Sequence, residues 1–118
     1  MADKKTMKGA LRLLKKARAW FKSEDRIVKD WHHWYENETG PIWDASSDEI
    51  CRACILGSIG RVVGKRWYQY DERESLADRF LRANRHSSYF IRRHSLREVR
   101  DVYDAAIKSL EKEIASAA

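Results

Sequence analysis

The stretch SDEICRACILGSIGRVV, residues 47–63, decides how the rest of the chain is read. Its apolar members, Ile50, Ala53, Cys54, Ile55, Leu56, Ile59, Val62 and Val63, fall on nearly every side of a helical wheel. That predicts a helix with neighbours around most of its circumference. Ser46 and Glu49 have the spacing of a capping box, in which each side chain satisfies a backbone N–H left open at a helix start. Gly57 and Gly60 cost helix propensity, and the expected return is close approach of another backbone. Gly64 suits the C-terminal cap. The expectation is a central helix over residues 47–63.

On its N-terminal side, Met7, Ala10, Leu11, Leu14, Ala17 and Phe21 recur at helical spacing, interrupted only by Arg18, and predict a helix over about residues 6–22. Between it and the central helix, residues 27–44 are rich in β-branched and aromatic types without helical period and contain Asn37, Gly40 and Pro41. A short hairpin or ordered loop is expected there. On the C-terminal side, Asp71 with Glu74 opens a helix over about residues 72–84. Ser95 with Glu98 opens another over about 95–115, striped by Leu96, Val99, Tyr103, Ala106, Leu110 and Ile114. The fold class is therefore mainly α, with about four helices packed around a central apolar helix and one short β-like hairpin.

The chain has 118 residues, enough for a single domain with one core. With 43% hydrophobic and 36% charged residues it is too apolar for a disordered chain and too charged for a membrane protein. Its longest apolar run lies between Arg52 and Arg61, far short of the roughly 20 residues that cross a bilayer, and a secretory signal pattern is missing. Both cysteines, Cys51 and Cys54, are then expected reduced in cytoplasm.

The net charge of +6 is unevenly placed. Residues 1–22 set Lys4, Lys5, Lys8, Arg12, Lys15, Lys16, Arg18 and Lys22 against Asp3 alone. Residues 79–100 set Arg79, Arg82, Arg85, Arg92, Arg93, Arg97 and Arg100 against Glu98 alone, and the remaining segments are acidic. On a helix, Lys8, Arg12, Lys15, Lys16 and Lys22 fall opposite the apolar stripe, as a ridge on an exposed face. In the second block the arginines alternate with Phe80, His86, Tyr89 and Phe90, and guanidinium forks beside aromatic faces suit phosphate contact and base stacking. Solvated or internally paired arginines around a Phe80 and Phe90 core account for the same pattern.

The order of these elements resembles a family of bacterial and phage proteins whose role is unassigned. The family shares a leading helix, a tryptophan-bearing hairpin, a Cys-containing helix running into Gly-Ala or Gly-Ser, and a final Thr/Ser-x-x-Glu-Val helix. The matching residues are Trp31, then Cys51-Arg-Ala-Cys54-Ile-Leu-Gly57-Ser58, then Ser95-Leu-Arg-Glu98-Val99, within roughly residues 7–108. The resemblance implies a fold and transfers no activity. Its Asn-Asp pair ahead of the last helix is replaced here by Arg92-Arg93-His94.

Familiar chemistries find little purchase. Cys51 and Cys54 with His32, His33, His86 and His94 nominally offer a zinc set, but cysteines inside an apolar helix read as small buried hydrophobes. No βαβ pattern supports a redox Cys-x-x-Cys. His32 and His33 with Glu36 suggest proton transfer, yet neighbours on a strand point to opposite faces and are not expected to converge. Asp71, Glu72, Glu74 and Asp78 belong to a helix start. No catalytic residue, cofactor or metal is expected.

What remains is a non-enzymatic basic binding protein that docks on a negatively charged macromolecule, a nucleic acid or a nucleoprotein complex. Its contact candidates are Lys8, Arg12, Lys15, Lys16, Arg82, Arg85, Arg92 and Arg93. A second reading is a protein-interaction module, such as a phage-borne inhibitor of a host protein, using Trp31, Trp34, Tyr35 and Trp43 as an aromatic hot spot. A third is a small metal-dependent enzyme. Stable membrane association is not expected, because the apolar stripe of the first helix has a core to enter.

Overall fold

In a computed structural model the chain is described over residues 2–30, 32–84 and 95–117. Asp3 opens the first helix by accepting the Thr6 N–H at 2.7 Å, and α1 then runs Lys4–Trp20. Met7, Ala10, Leu14, Ala17 and Phe21 are buried along the expected stripe, with Leu13 joining them. Arg18, the interruption in that stripe, reaches across to Asp104 on the last helix, Nε to Oδ1 at 2.6 Å.

The hairpin forms as a minimal pair, β1 (Tyr35–Glu36) against β2 (Pro41–Ile42), antiparallel with Tyr35 opposite Ile42. Pro41, which has no N–H to donate, lies on the edge strand. A third strand, β3 (Arg52–Ala53), adds antiparallel to the other side of β1, with Tyr35 opposite Ala53 and Glu36 opposite Arg52.

This third strand corrects the expected helix over 47–63. Its first half is a turn at residues 48–49 leading into β3, and α2 covers only Ser58–Val63 behind a 3-10 turn at Ile55–Gly57. Ser46 caps nothing. Its N–H and hydroxyl both donate to Asp44 Oδ1, at 3.0 and 2.7 Å, and Ser47 Oγ accepts the Glu49 N–H at 3.2 Å. Side chains that bond their own backbone this way make turns in place of a helix start. The apolar run is all-sided because a short buried strand followed by a buried turn has no polar face either, and periodicity does not separate the two.

Two glycine expectations are refined. Gly64 ends α2 at φ 68°, the left-handed conformation that an L side chain adopts only with strain. At Gly57 the close approach is by the Tyr35 side chain, and at Gly60 by side chain and backbone together. The Tyr35 ring packs over Gly57 and its hydroxyl over Gly60, where a Cβ would lie 2.6 Å from Tyr35 Oη and 2.7 Å from the Lys65 carbonyl oxygen.

Asp71 and Glu74 exchange backbone bonds at 2.8 and 2.9 Å to open α3 (Glu72–Ala83). Ser95 and Glu98 do the same, both at 3.1 Å, to open α4 (Leu96–Ser116). The pairs Arg18–Asp104 and Lys15–Glu111 set α4 antiparallel to α1. α1 packs against α2, α3 and α4, and α3 likewise touches the other three, with α1 rather than the 47–63 segment making the most extensive packing. Tyr103, fully buried, ties α4 to α2 through a hydrogen bond between its hydroxyl and Ser58 Oγ. No helix among the described residues is long and apolar enough to cross a membrane.

Candidate functional site

Because α1 buries one stripe against three helices, its outer face is left with lysines and arginines. Lys8, Arg12, Lys15 and Lys16 are all exposed. Lys15 lies 4.0 Å from Glu111, whereas Lys8, Arg12 and Lys16 have no ion pair among the described residues. Where α1 meets α2 and the start of α3, Arg12 and Lys16 line a groove of about 350 Å³ together with Gly9, Leu13, Val62, Val63, Arg73 and Glu74. The third cation, Arg73, reaches the groove by crossing α1 at Gly9. A Cβ on Gly9 would sit 2.6 Å from Arg73 Cδ, so the arginine stem occupies the space a side chain would take.

Arg73 is missed by a reading of charge blocks, since it belongs to the acidic middle of the chain. The one signal for it is Gly9 itself, which costs about 1 kcal/mol relative to Ala inside a helix and so calls for a neighbour that needs the room.

None of the described arginines of the second basic block lines this groove. Arg82 is half-buried and bound to Asp78 on its own helix, Nε to Oδ2 at 2.8 Å. Arg100 donates to the carbonyls of Phe21 and Lys22 at 3.3 and 3.4 Å, satisfying acceptors beyond the C-terminal end of α1. Arg79 lines a separate cleft of about 600 Å³ between the start of α1 and the end of α4. Arg85, Arg92 and Arg93 lie outside the described residues, as does Trp31.

The aromatic set divides. Trp43 is 76% exposed and Trp34 40%, but Tyr35 is buried, donates its hydroxyl to the Gly57 carbonyl at 2.8 Å, and is a core residue with its pKa raised by burial. Trp67, 66% exposed, and Tyr68 form an edge-to-face pair 5.7 Å apart in the turn after α2, which the hairpin-centred reading leaves out.

The Glu36 region is bound up in structure. Burial would raise its carboxyl, but the Lys29 N–H, the Arg52 guanidinium, the His33 ring and the Asp30 N–H outweigh burial and hold it at about 2. Their distances are 2.8, 2.9, 2.7 and 3.1 Å. Arg52, itself buried, also donates to the Asn37 carbonyl. His32 and His33 sit in a turn before β1, not on a strand, and both face Asp30, at 2.9 and 3.7 Å. That corrects the expectation that they point apart. Cys51 precedes β3 and Cys54 follows it. Three positions apart on extended backbone they face opposite ways, and burial pushes the Cys54 thiol up to about 11, away from thiolate chemistry. Among the described residues no three His, Cys, Asp or Glu side chains are gathered as a metal site.

Comparison with protein-family models, with curated proteins and with solved structures gives no match for this chain.

Proposed function

We propose that this chain is a small binding protein that lays the outer face of α1 on a nucleic acid. The observation that carries this reading is the row of unpaired cations, Lys8, Arg12 and Lys16, on one exposed helix face, joined by Arg73 from α3. Steps of four residues place a positive charge about every 6 Å along the helix. A polyanion with a repeating phosphate row is the partner such a spacing meets. An exposed cationic row is also the commonest way to keep a helix hydrated, so the test must separate contact from solvation.

Titration of a labelled oligonucleotide at about 50 and about 200 mM salt does this. Three phosphate contacts on duplex give a log-log slope of roughly −2.7 and a loss of affinity of roughly 40-fold between those concentrations. Arg12→Ala and Lys16→Ala each flatten the slope, by up to about 0.9 where a phosphate contact is lost outright. No binding at the lower salt, or a slope unchanged in both variants, rejects the proposal.

A second reading, docking on a protein through exposed aromatics, draws on Trp43 and Trp67, whose indoles are mostly in solvent. Tyr35 has no part in it.

A further inference from the structure

We infer that the groove between α1 and α3 is a seat for one backbone phosphate of the nucleic-acid strand, held by Arg12, Lys16 and Arg73 and kept open by Gly9. The inference rests on the nucleic-acid reading of the α1 face and adds to it a specific pocket whose third ligand comes from a different helix.

Three features distinguish the groove from the rest of the ridge. First, its cations converge from two helices on one depression, whereas Lys8 and Lys15 stand on an open helix surface. Second, one oxygen of the groove's carboxylate is already engaged. Glu74 Oε1 accepts Lys65 Nζ at 2.8 Å and the Asp71 N–H at 2.9 Å. Arg73 is ion-paired with Glu74 and Asp71 at 3.8 and 3.9 Å, without a hydrogen bond to either, so its donor fork can turn to an entering phosphate. Third, Leu13, Val62 and Val63 supply an apolar wall beside the cations, which gives the depression a fixed side for an entering anion to rest against.

Gly9 supplies the geometry. A side chain there forces the Arg73 stem off α1 and moves the guanidinium from the groove without altering any charge. A nucleic acid fits better than an isolated phosphorylated side chain because Lys8 continues the line of Arg12 and Lys16 along α1, ready for further phosphates of one strand.

The test compares Arg73→Ala, Gly9→Ala and a charge-matched control, Arg79→Ala, for affinity toward the same labelled oligonucleotide at low salt. Arg79 is an exposed arginine of the same helix outside the groove. A seat predicts that Arg73→Ala loses about tenfold, Gly9→Ala several-fold with its charge intact, and Arg79→Ala about twofold or less. In ¹H–¹⁵N spectra of the wild type, inorganic phosphate should move the Arg12 and Arg73 side-chain signals saturably and before those of Arg79. Thermal midpoints of all three variants are measured alongside, and Gly9→Ala is expected to hold or gain stability from helix propensity.

Equal losses in Arg73→Ala and Arg79→Ala, with Gly9→Ala binding as wild type, overturn the seat while leaving the α1 face as a diffuse contact. Failure of the wild type to bind the oligonucleotide at all overturns both. Saturation by inorganic phosphate without oligonucleotide binding keeps an anion pocket and rejects the nucleic acid as its occupant.

Discussion

Replacing Glu36 by Gln should cost this protein stability at neutral pH but not in strong acid. Glu36 is 3% exposed and receives two backbone N–H groups, a guanidinium and an imidazole, while Glu38 stands 3.9 Å from the same Arg52. Its carboxyl titrates at about 2 in place of the ordinary 4.5. At about 1.4 kcal/mol per pKa unit, the carboxylate contributes on the order of 3 kcal/mol to folding, a large share of the roughly 5–15 kcal/mol typical of a domain. Because the folded pKa is depressed, that contribution is complete above about pH 4.5, falls away as the pH drops, and is gone below about 2. Gln keeps the shape but leaves Arg52 buried without its counter-charge, so its cost at neutral pH should match or exceed that figure. Urea unfolding followed by tryptophan fluorescence at about pH 7, 5, 3 and 2 measures the difference between wild type and variant, and subtraction removes the carboxylates common to both. The difference should hold between about pH 7 and 5 and shrink steadily below. A difference that ignores pH, or none at neutrality, would refute the reasoning and return Glu36 to the status of a solvated surface carboxylate.

Gly60→Ala should destabilise by about 1–3 kcal/mol in thermal or urea unfolding, because the new methyl meets the Tyr35 hydroxyl and the Lys65 carbonyl at once. A neutral result would mean that the turn after α2 relaxes freely. Trp43→Ala and Trp67→Ala should leave the unfolding free energy within about 0.5 kcal/mol and the oligonucleotide affinity unchanged, since both rings are mainly in solvent. A loss of oligonucleotide affinity would instead put the aromatic surface inside the nucleic-acid interface.

The four-helix character, the α1 stripe and the paired caps of α3 and α4 were determined by the sequence, because each depends on residues within one or two turns of one another. Met7, Ala10, Leu14 and Ala17 report their own burial through spacing, and Asp71 with Glu74 or Ser95 with Glu98 close their bonds within three residues. The exposure of Lys8, Arg12, Lys15 and Lys16 followed from the same periodicity.

Tertiary structure alone decided the fate of residues 47–53. Arg52 and Ala53 become a strand because Glu36 and Tyr35 offer them a partner edge from 16 to 18 residues away, a pairing that no local pattern encodes. It likewise decided which charges stay free: Arg18 and Arg82 are taken by Asp104 and Asp78, while Arg12 and Lys16 are left open. It also brought Arg73 over Gly9 into their groove. Helix spacing fixes which face a residue is on, but which acid or base waits across that face depends on the packing of another helix.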